Sequence, residues 1–241
     1  MDTLYIVMPA YNEEANIERV VDEWHSILYG GGASEQSKIV VADSGSTDST
    51  HEVLKLMKNK YPRLEILSDT GKQHGPKVIA LYDYAIKNNA DYIFQTDSDG
   101  QTVPRDFDDF WQNREEFEAI LGNRMNREDG QSRVFVEKVV TIMLFLFFGV
   151  KIPDANAPFR LMNKSIVKEF LYRMPSDYNL PNIMLTTFFV YYNRKVDFRK
   201  ITFRQRQGGK NSINVLKIFK IGLESIHNFA VFRRQMKGGM E

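Results

Sequence analysis

Asp97-Ser98-Asp99-Gly100-Gln101, directly after the apolar stretch DYIFQT, carries the richest chemistry in the chain. Two carboxylates two positions apart at a strand end fall on the same side if the backbone stays extended. With the Gln101 carbonyl they form a set of hard oxygen donors. Such donors suit Mg²⁺ or Mn²⁺, ions that keep positions open for water and phosphate oxygens. A plain solvated turn has the same composition, so the neighbouring segments must decide. Pro9-Ala10-Tyr11-Asn12-Glu13-Glu14 follows the first apolar run, and Asp43-Ser44-Gly45-Ser46-Thr47-Asp48-Ser49-Thr50 closes the second. Asp43 stands where a carboxylate can bond a nucleobase or ribose. Ser46, Thr47 and Asp48 supply turn and helix-capping oxygens, and capping alone accounts for Asp48. The basic loop 71–77 brings Lys72 and Lys77 to a helix N-terminus, where phosphate is favoured. His74, in the same loop, reads as a supporting residue rather than a metal ligand.

The elements that must position these residues alternate. Strand patterns at 4–10, 38–43, 64–69 and 91–97 are separated by helical spacing over 14–29, about 49–60 and 76–88, and 119–124 reads as a further strand. Such alternation predicts βαβ units, a largely parallel sheet and a ligand at the carboxyl ends of the strands. Pro9, Asp43, Ser46 and Asp97 all fall there. Beyond residue 130 the rhythm changes. The stretch 133–150 holds about a dozen nearly continuous apolar residues from Val139, too short to span a bilayer, which takes roughly 20. It reads as a buried, interfacial or re-entrant helix. Leu180–Tyr192 reads as an apolar helix and 196–203 as a half-exposed strand. The stretch 213–232 reads as an amphipathic helix with Ile213, Leu216, Phe219, Leu223, Ile226 and Ala230 on its apolar side. A basic amphipathic helix suits either a membrane surface or a soluble core face.

The chain has 241 residues and 43% hydrophobic content, enough for one substantial α/β domain. It has no cysteine, which excludes disulfide scaffolds, thiolate metal sites and cysteine nucleophiles and suits a reducing compartment. Its first residues show no basic region followed by a long apolar stretch, so no signal peptide is expected. The net charge of +1 conceals an asymmetry: residues 1–130 hold 13 Lys and Arg against 24 Asp and Glu, and residues 131–241 hold 19 against 7. This is either uneven solvated surface or an N-terminal half that handles a cation beside a C-terminal half that meets an anion. Nucleic acid is not expected as a partner, because the basic residues are not interleaved with stacking aromatics in any known pattern.

Together, P-A-Y-N-E-E, D-S-G-S-T-D-S-T and D-S-D resemble the nucleotide-binding half of the family 2 glycosyltransferases, in order and at the family's spacing. The resemblance implies a GT-A fold: an α/β domain with a mixed, mainly parallel sheet, here followed by C-terminal amphipathic or interfacial helices. On this resemblance residues 1–130 would form the nucleotide-sugar and metal-binding half and 131–241 the acceptor half of one continuous domain. It further implies an inverting enzyme with a nucleotide-diphospho-sugar donor, UDP- rather than GDP-linked as the first expectation. Pro9, Ala10, Tyr11, Glu13, Asp43, Ser46, Lys77, Asp97 and Ser98 would bind the donor, with Asp97, Asp99 and Gln101 on the metal. The reading D-S-D-G-Q is similar to the D-A-D-L-Q of polyprenyl-phosphate and dolichyl-phosphate sugar synthases. G-N-R (122–124), Arg133, D-A-N-A-P-F-R (154–160) and R-Q-G-G-K-N-S (206–212) resemble further elements of that subfamily. Pro158 departs from the usual Gly, and Lys210 precedes Ser212 rather than following a Ser.

An acceptor hydroxyl needs a base to take its proton. Relatives with hydroxyl acceptors usually present an acidic pair on the helix after the acceptor loop, whereas here Asn182 leads that helix and Asp177 is the nearby acid. A lipid phosphate is already anionic and needs positive charge instead, which Arg124, Arg133, Arg206, Lys210 and Ser212 are placed to provide. Asp99, Asp154 and Arg206 are therefore the expected catalytic residues. The expected reaction is sugar transfer to a polyprenyl phosphate by a peripheral protein on the cytoplasmic face of a membrane. Transfer to a glycan hydroxyl, with Asp154 or Asp177 as base, is the alternative. A sugar nucleotidyltransferase or a non-catalytic nucleotide-binding protein is more remote, because PAYNEE stands where G-x-G-T-R would. Oligomeric state is not legible.

Overall fold

A computed structural model of the chain describes residues 1–30, 32–124, 131–205 and 215–238, with the side chains of 131–135 and 215–224 outside that description. β1 (Leu4–Ala10), α1 (Ile17–Gly30), β2 (Lys38–Asp43), α2 (Thr50–Lys60), β3 (Leu64–Leu67), α3 (His74–Lys87) and β4 (Tyr92–Thr96) alternate as the periodicity predicts. α4 (Phe107–Gln112), β5 (Ala119–Asn123), α5 (Gln131–Phe148), β6 (Phe159–Asn163), α6 (Lys164–Leu171), α7 (Pro181–Tyr191), β7 (Val196–Lys200) and α8 (Val215–Gly238) follow.

The strands form one sheet in the order β3-β2-β1-β4-β6-β5-β7. All neighbours run parallel except β6, which is antiparallel to both β4 and β5. β6 and β7 come from the 131–241 stretch, so both halves of the chain share the sheet. β6 was not foreseen, because FRLMN lacks clean alternation and contains an arginine. That arginine, Arg160, pairs in register with Gln95 of β4, and the two polar side chains meet a polar layer described below.

Two apolar layers cover the sheet, as a buried, mainly parallel sheet requires. On one face, Leu4, Ile6 and Met8 of β1 meet Ile17, Val20, Val21 and Trp24 of α1 and an aromatic group of Phe94, Phe107, Phe110 and Phe159. Trp24 lies 5.0 Å from Phe94 and 6.0 Å from both Phe107 and Phe159, at tilted or edge-on angles typical of favourable ring pairs. On the other, Tyr5 and Val7 meet α3, α6, α7 and parts of α5 and α8.

α7 is buried almost throughout, which explains its all-round apolar sequence. α5 divides: Leu144 and Phe148 are buried, whereas Ile142 and Leu146 are 57% and 69% exposed. In the part of α8 whose side chains are described, the inward residues are not the expected Ile226 and Ala230, while Ile213 and the side chains of Leu216, Phe219 and Leu223 lie outside the described residues. Phe229, Phe232 and Met236 are buried while Ile226 is exposed. The larger rings decide it: Phe229 packs on Phe147 and Phe148, and Phe232 on Tyr178 and Phe188. No helix among the described residues is long and apolar enough to cross a membrane.

Candidate active site

The loops after β1 and β2 are laced together. Asn12, in the left-handed region at φ 55°, directs its amide N–H to Ser46 Oγ at 3.0 Å, and its side-chain Oδ1 accepts from the Thr47 amide at 2.8 Å. Asn is among the residues that tolerate this conformation best. The Glu13 amide donates to Thr50 Oγ1, and buried Glu13 accepts from the Asn16 side chain at 3.0 Å. Asp48 accepts from Thr50 and from the Glu14 amide. Burial alone would raise the Asp48 pKa, but these bonds outweigh it and hold the carboxyl below its ordinary value. Asp48 thus organises the loop.

Asp43, the last residue of β2, is buried. It accepts from Ser46 Oγ at 2.5 Å and faces His51 Nδ1 at 3.0 Å. His51 lies in the first turn of α2 and was not foreseen as part of the site. Pro9 and Ala10 end β1, and their carbonyls are both used. Ser98 Oγ donates to Pro9 O at 2.8 Å, and the Lys77 ammonium donates to Ala10 O at 2.5 Å. Lys77 is buried in the first turn of α3 with its Nζ 5.2 Å from the Tyr11 ring centre. Burial lowers its pKa to about 8, against the opposing field of Asp43. Seven expected donor residues, Pro9, Ala10, Tyr11, Asp43, Ser46, Lys77 and Ser98, therefore meet across the carboxyl ends of β1, β2 and β4.

Asp97 follows β4 directly, and the chain then turns instead of staying extended. Gly100, at φ 72°, makes this turn possible, and a Cβ there would lie 2.2 Å from Arg19 Nη2. Asp97 Oδ1 accepts from the Gln95 side chain at 3.2 Å and lies 3.5 Å from His74 Nε2. Asp99 Oδ1 accepts from the Gln101 amide at 3.1 Å. The Gln101 side chain donates to Arg204 O at 2.9 Å, and the Arg204 amide donates back to Gln101 O at 2.7 Å. This double tie, beside the Thr102–Phe203 bridge, fastens the carboxylate turn to the segment leading into Arg206.

These residues fit a divalent metal whose coordination is completed by a ligand. The donors are hard oxygens on a held turn, and the Gln101 nitrogen is already committed, leaving its carbonyl oxygen for a cation. Among the described residues no group of three or more His, Cys, Asp or Glu is arranged to hold an ion unaided. Mg²⁺ characteristically uses one or two carboxylates plus substrate phosphates. Asp97, Asp99 and Gln101 would hold it, and the ion would offset charge on a departing diphosphate.

The acceptor-side residues are arranged differently. Arg124 and Asp154 form a two-pronged ion pair at 2.7 and 2.8 Å, with side chains only 6% and 1% exposed. Burial alone would lower the Arg124 pKa, and the Asp154 carboxylate outweighs that and raises it. Asp154 also accepts from the Asn156 amide. Asp177 is exposed. The Arg133 side chain and Arg206, Lys210 and Ser212 lie outside the described residues.

Comparison with known proteins places this geometry. A UDP-N-acetylglucosamine–dolichyl-phosphate N-acetylglucosaminyltransferase of Methanococcus voltae is 25% identical over 185 residues, spanning 68% of this chain and 71% of that protein. An undecaprenyl-phosphate 4-deoxy-4-formamido-L-arabinose transferase of Photorhabdus laumondii is 21% identical, spanning 90% of this chain and 64% of the relative. The expected similarity to polyprenyl-phosphate sugar synthases is thus met. Glucosyl-3-phosphoglycerate synthase from Mycobacterium tuberculosis, crystallised with Mn²⁺, UDP and phosphoglyceric acid, superposes with a TM-score of 0.71 at 16% identity, covering 96% of this chain and 78% of that one. That likeness bears on the fold, and the fold is the GT-A type. The family model for glycosyl transferase family 2 matches residues 5–171. With its three donor-side motifs converging on one sheet edge, the chain belongs to glycosyl transferase family 2.

Proposed function

We propose that the protein transfers a sugar, with inversion, from a UDP-linked donor to a polyprenyl phosphate, using Mg²⁺ or Mn²⁺ held by Asp97, Asp99 and Gln101. The observation that carries the acceptor class is the state of the acids. Asn182 occupies the helix start where a base would be needed for a hydroxyl acceptor, and it is buried with its amide bonded to Gln95 and Tyr82. Asp154 is held by Arg124. A phosphate acceptor requires no base, so this arrangement favours it. Arg133, Arg206, Lys210 and Ser212 would then receive the lipid phosphate.

Exposed Ile142, Phe145 and Leu146 on α5, near Lys138 and Lys151, support docking on an anionic membrane surface. The cytoplasmic face, with its anionic lipids, is the side this reading assigns. α5 packs on α8 through Phe147, Phe148 and Phe229, which holds the apolar face of α5 in place. The test is transfer from labelled UDP-sugars to purified polyprenyl phosphate in detergent or vesicles, with and without Mn²⁺. Label entering the lipid phase as a phosphate-linked sugar is the expected result. Label appearing only on a hydroxyl-bearing glycan acceptor would overturn the acceptor assignment.

A further inference from the structure

Beneath the two halves of the site runs a connected layer of buried polar side chains. Gln95, fully buried in the middle of the sheet, donates from Nε2 to Asp97 and accepts at Oε1 from Asn182 Nδ2 at 3.0 Å. Asn182 in turn accepts at Oδ1 from the Tyr82 hydroxyl at 2.8 Å. Its main-chain carbonyl accepts from Arg160 Nη1 at 3.2 Å. Arg160, fully buried, donates further to Ala157 O, Ala155 O and Thr186 Oγ1 at 3.3, 3.2 and 3.1 Å. Those carbonyls belong to the loop that carries Asp154, and Asp154 holds Arg124.

Burying a guanidinium on carbonyl oxygens is expensive, and burial lowers its pKa from the ordinary value. The cost is offset by the three main-chain carbonyls and the Thr186 hydroxyl that Arg160 satisfies. What Arg160 achieves is to fix the 155–157 loop to the start of α7, and Asn182 fixes the start of α7 to the side chain that orients Asp97. Each amide in the chain has its donor and acceptor ends assigned by its neighbours, so the layer has one consistent arrangement.

We propose that Gln95 and Asn182 are positioning residues that orient the Asp97 carboxylate for the metal and hold it in fixed register with the Asp154–Arg124 pair. The inference rests on Asp97 being a metal ligand. Partners behind a metal ligand typically change metal affinity or activity by about 10- to 100-fold when removed. Both are buried, Gln95 bonding Asp97 and Asn182 bonding Gln95. Their loss should raise the Mn²⁺ concentration needed for half-saturation while leaving Asp97 in place.

The test titrates Mn²⁺ into the full-length protein with saturating UDP, following the free-ion signal by electron paramagnetic resonance, alongside kcat and donor KM. Gln95→Met and Asn182→Leu replace each amide by an apolar side chain of comparable length and delete the bonds. Tyr82→Phe removes one hydroxyl only and serves if either of those fails to fold. Thr187→Val is the control: its buried hydroxyl bonds Ile183 O on α7 at 2.7 Å and lies outside the layer. The expected result is a Mn²⁺ half-saturation about tenfold higher or more for Gln95→Met and Asn182→Leu. Tyr82→Phe should shift it in the same direction by less, and Thr187→Val should not shift it. Wild-type Mn²⁺ affinity in folded Gln95→Met and Asn182→Leu would overturn the proposal. An Asp97→Asn variant with unchanged Mn²⁺ binding would instead overturn the metal-ligand reading on which it rests.

Discussion

Asp154→Asn retains the shape of the side chain and removes its charge, so it separates a structural counter-ion from a catalytic base. In the structure Asp154 and Arg124 are both withdrawn from water and joined by two short bonds. Removing one partner of such a pair leaves the other charge buried and unmatched, at a cost of about 3–5 kcal/mol. Asparagine keeps one acceptor, which places the expected loss toward the lower end. For a chain of this size each kcal/mol moves Tm by about 2–4 °C, so the variant should melt roughly 6–12 °C lower. The paired replacement Arg124→Met with Asp154→Leu should recover part of that loss, because it leaves no buried charge unmatched but deprives the Asn156 amide of its acceptor. Denaturant midpoints at constant slope provide the assay, with kcat measured on the same samples below the transition. Unchanged stability in Asp154→Asn, together with loss of kcat and of the acidic limb of its pH profile, would refute the counter-ion account and make Asp154 a base.

Four further outcomes follow from the structure. Lys77, with a pKa near 8 in the free protein, should lose its charge as pH rises through that value. If its ammonium supports donor binding, donor KM should climb above about pH 8 in the wild type and stay flat in Lys77→Met. Because the folded-state pKa lies below the unfolded one, the penalty of burying this charge applies below pH 8 and is relieved between about 8 and 10.5, so denaturant stability should gain slightly from Lys77 across that window. Gly75→Ala would place a Cβ 2.2 Å from Tyr178 O, a backbone atom that cannot swing aside, and should cost about 1–3 kcal/mol by urea unfolding. Ile142→Asp with Leu146→Asp should abolish co-sedimentation with anionic vesicles while leaving the melting temperature within about 2 °C, since both side chains are exposed.

The donor half was legible because its signals are local. A buried strand, a turn with oxygen-bearing side chains and a helix start each occupy about six residues, and their order alone places Asp43, Lys77 and Asp97 on one edge. Asn12 sat inside one quoted motif and His51 directly after another, yet their roles depend on contacts with residues over 30 and 8 positions away, respectively. A better signal lay in Gln95: a single amide in an otherwise apolar buried strand calls for partners. Asp154 was ambiguous from sequence, because an acid beside an acceptor loop reads equally as base or counter-ion until the Arg124 guanidinium is seen against it. At the C-terminal end of α8, Ile226 was expected inward and is exposed, because Phe229 and Phe232 on another side of the helix pack against Phe147, Phe148, Tyr178 and Phe188. β6 was hidden by Arg160, whose partners come from α7 and from the loop before the strand.

Calorimetric binding of UDP tests the central assignment most directly, because Asp97, Asp99 and Gln101 are proposed to act through a metal-bound diphosphate. With Mn²⁺ present, UDP should bind the wild type at least tenfold more tightly than without it, and Asp99→Asn should abolish that difference while folding normally. Equal UDP affinity with and without Mn²⁺, or an unchanged metal effect in Asp99→Asn, would contradict it.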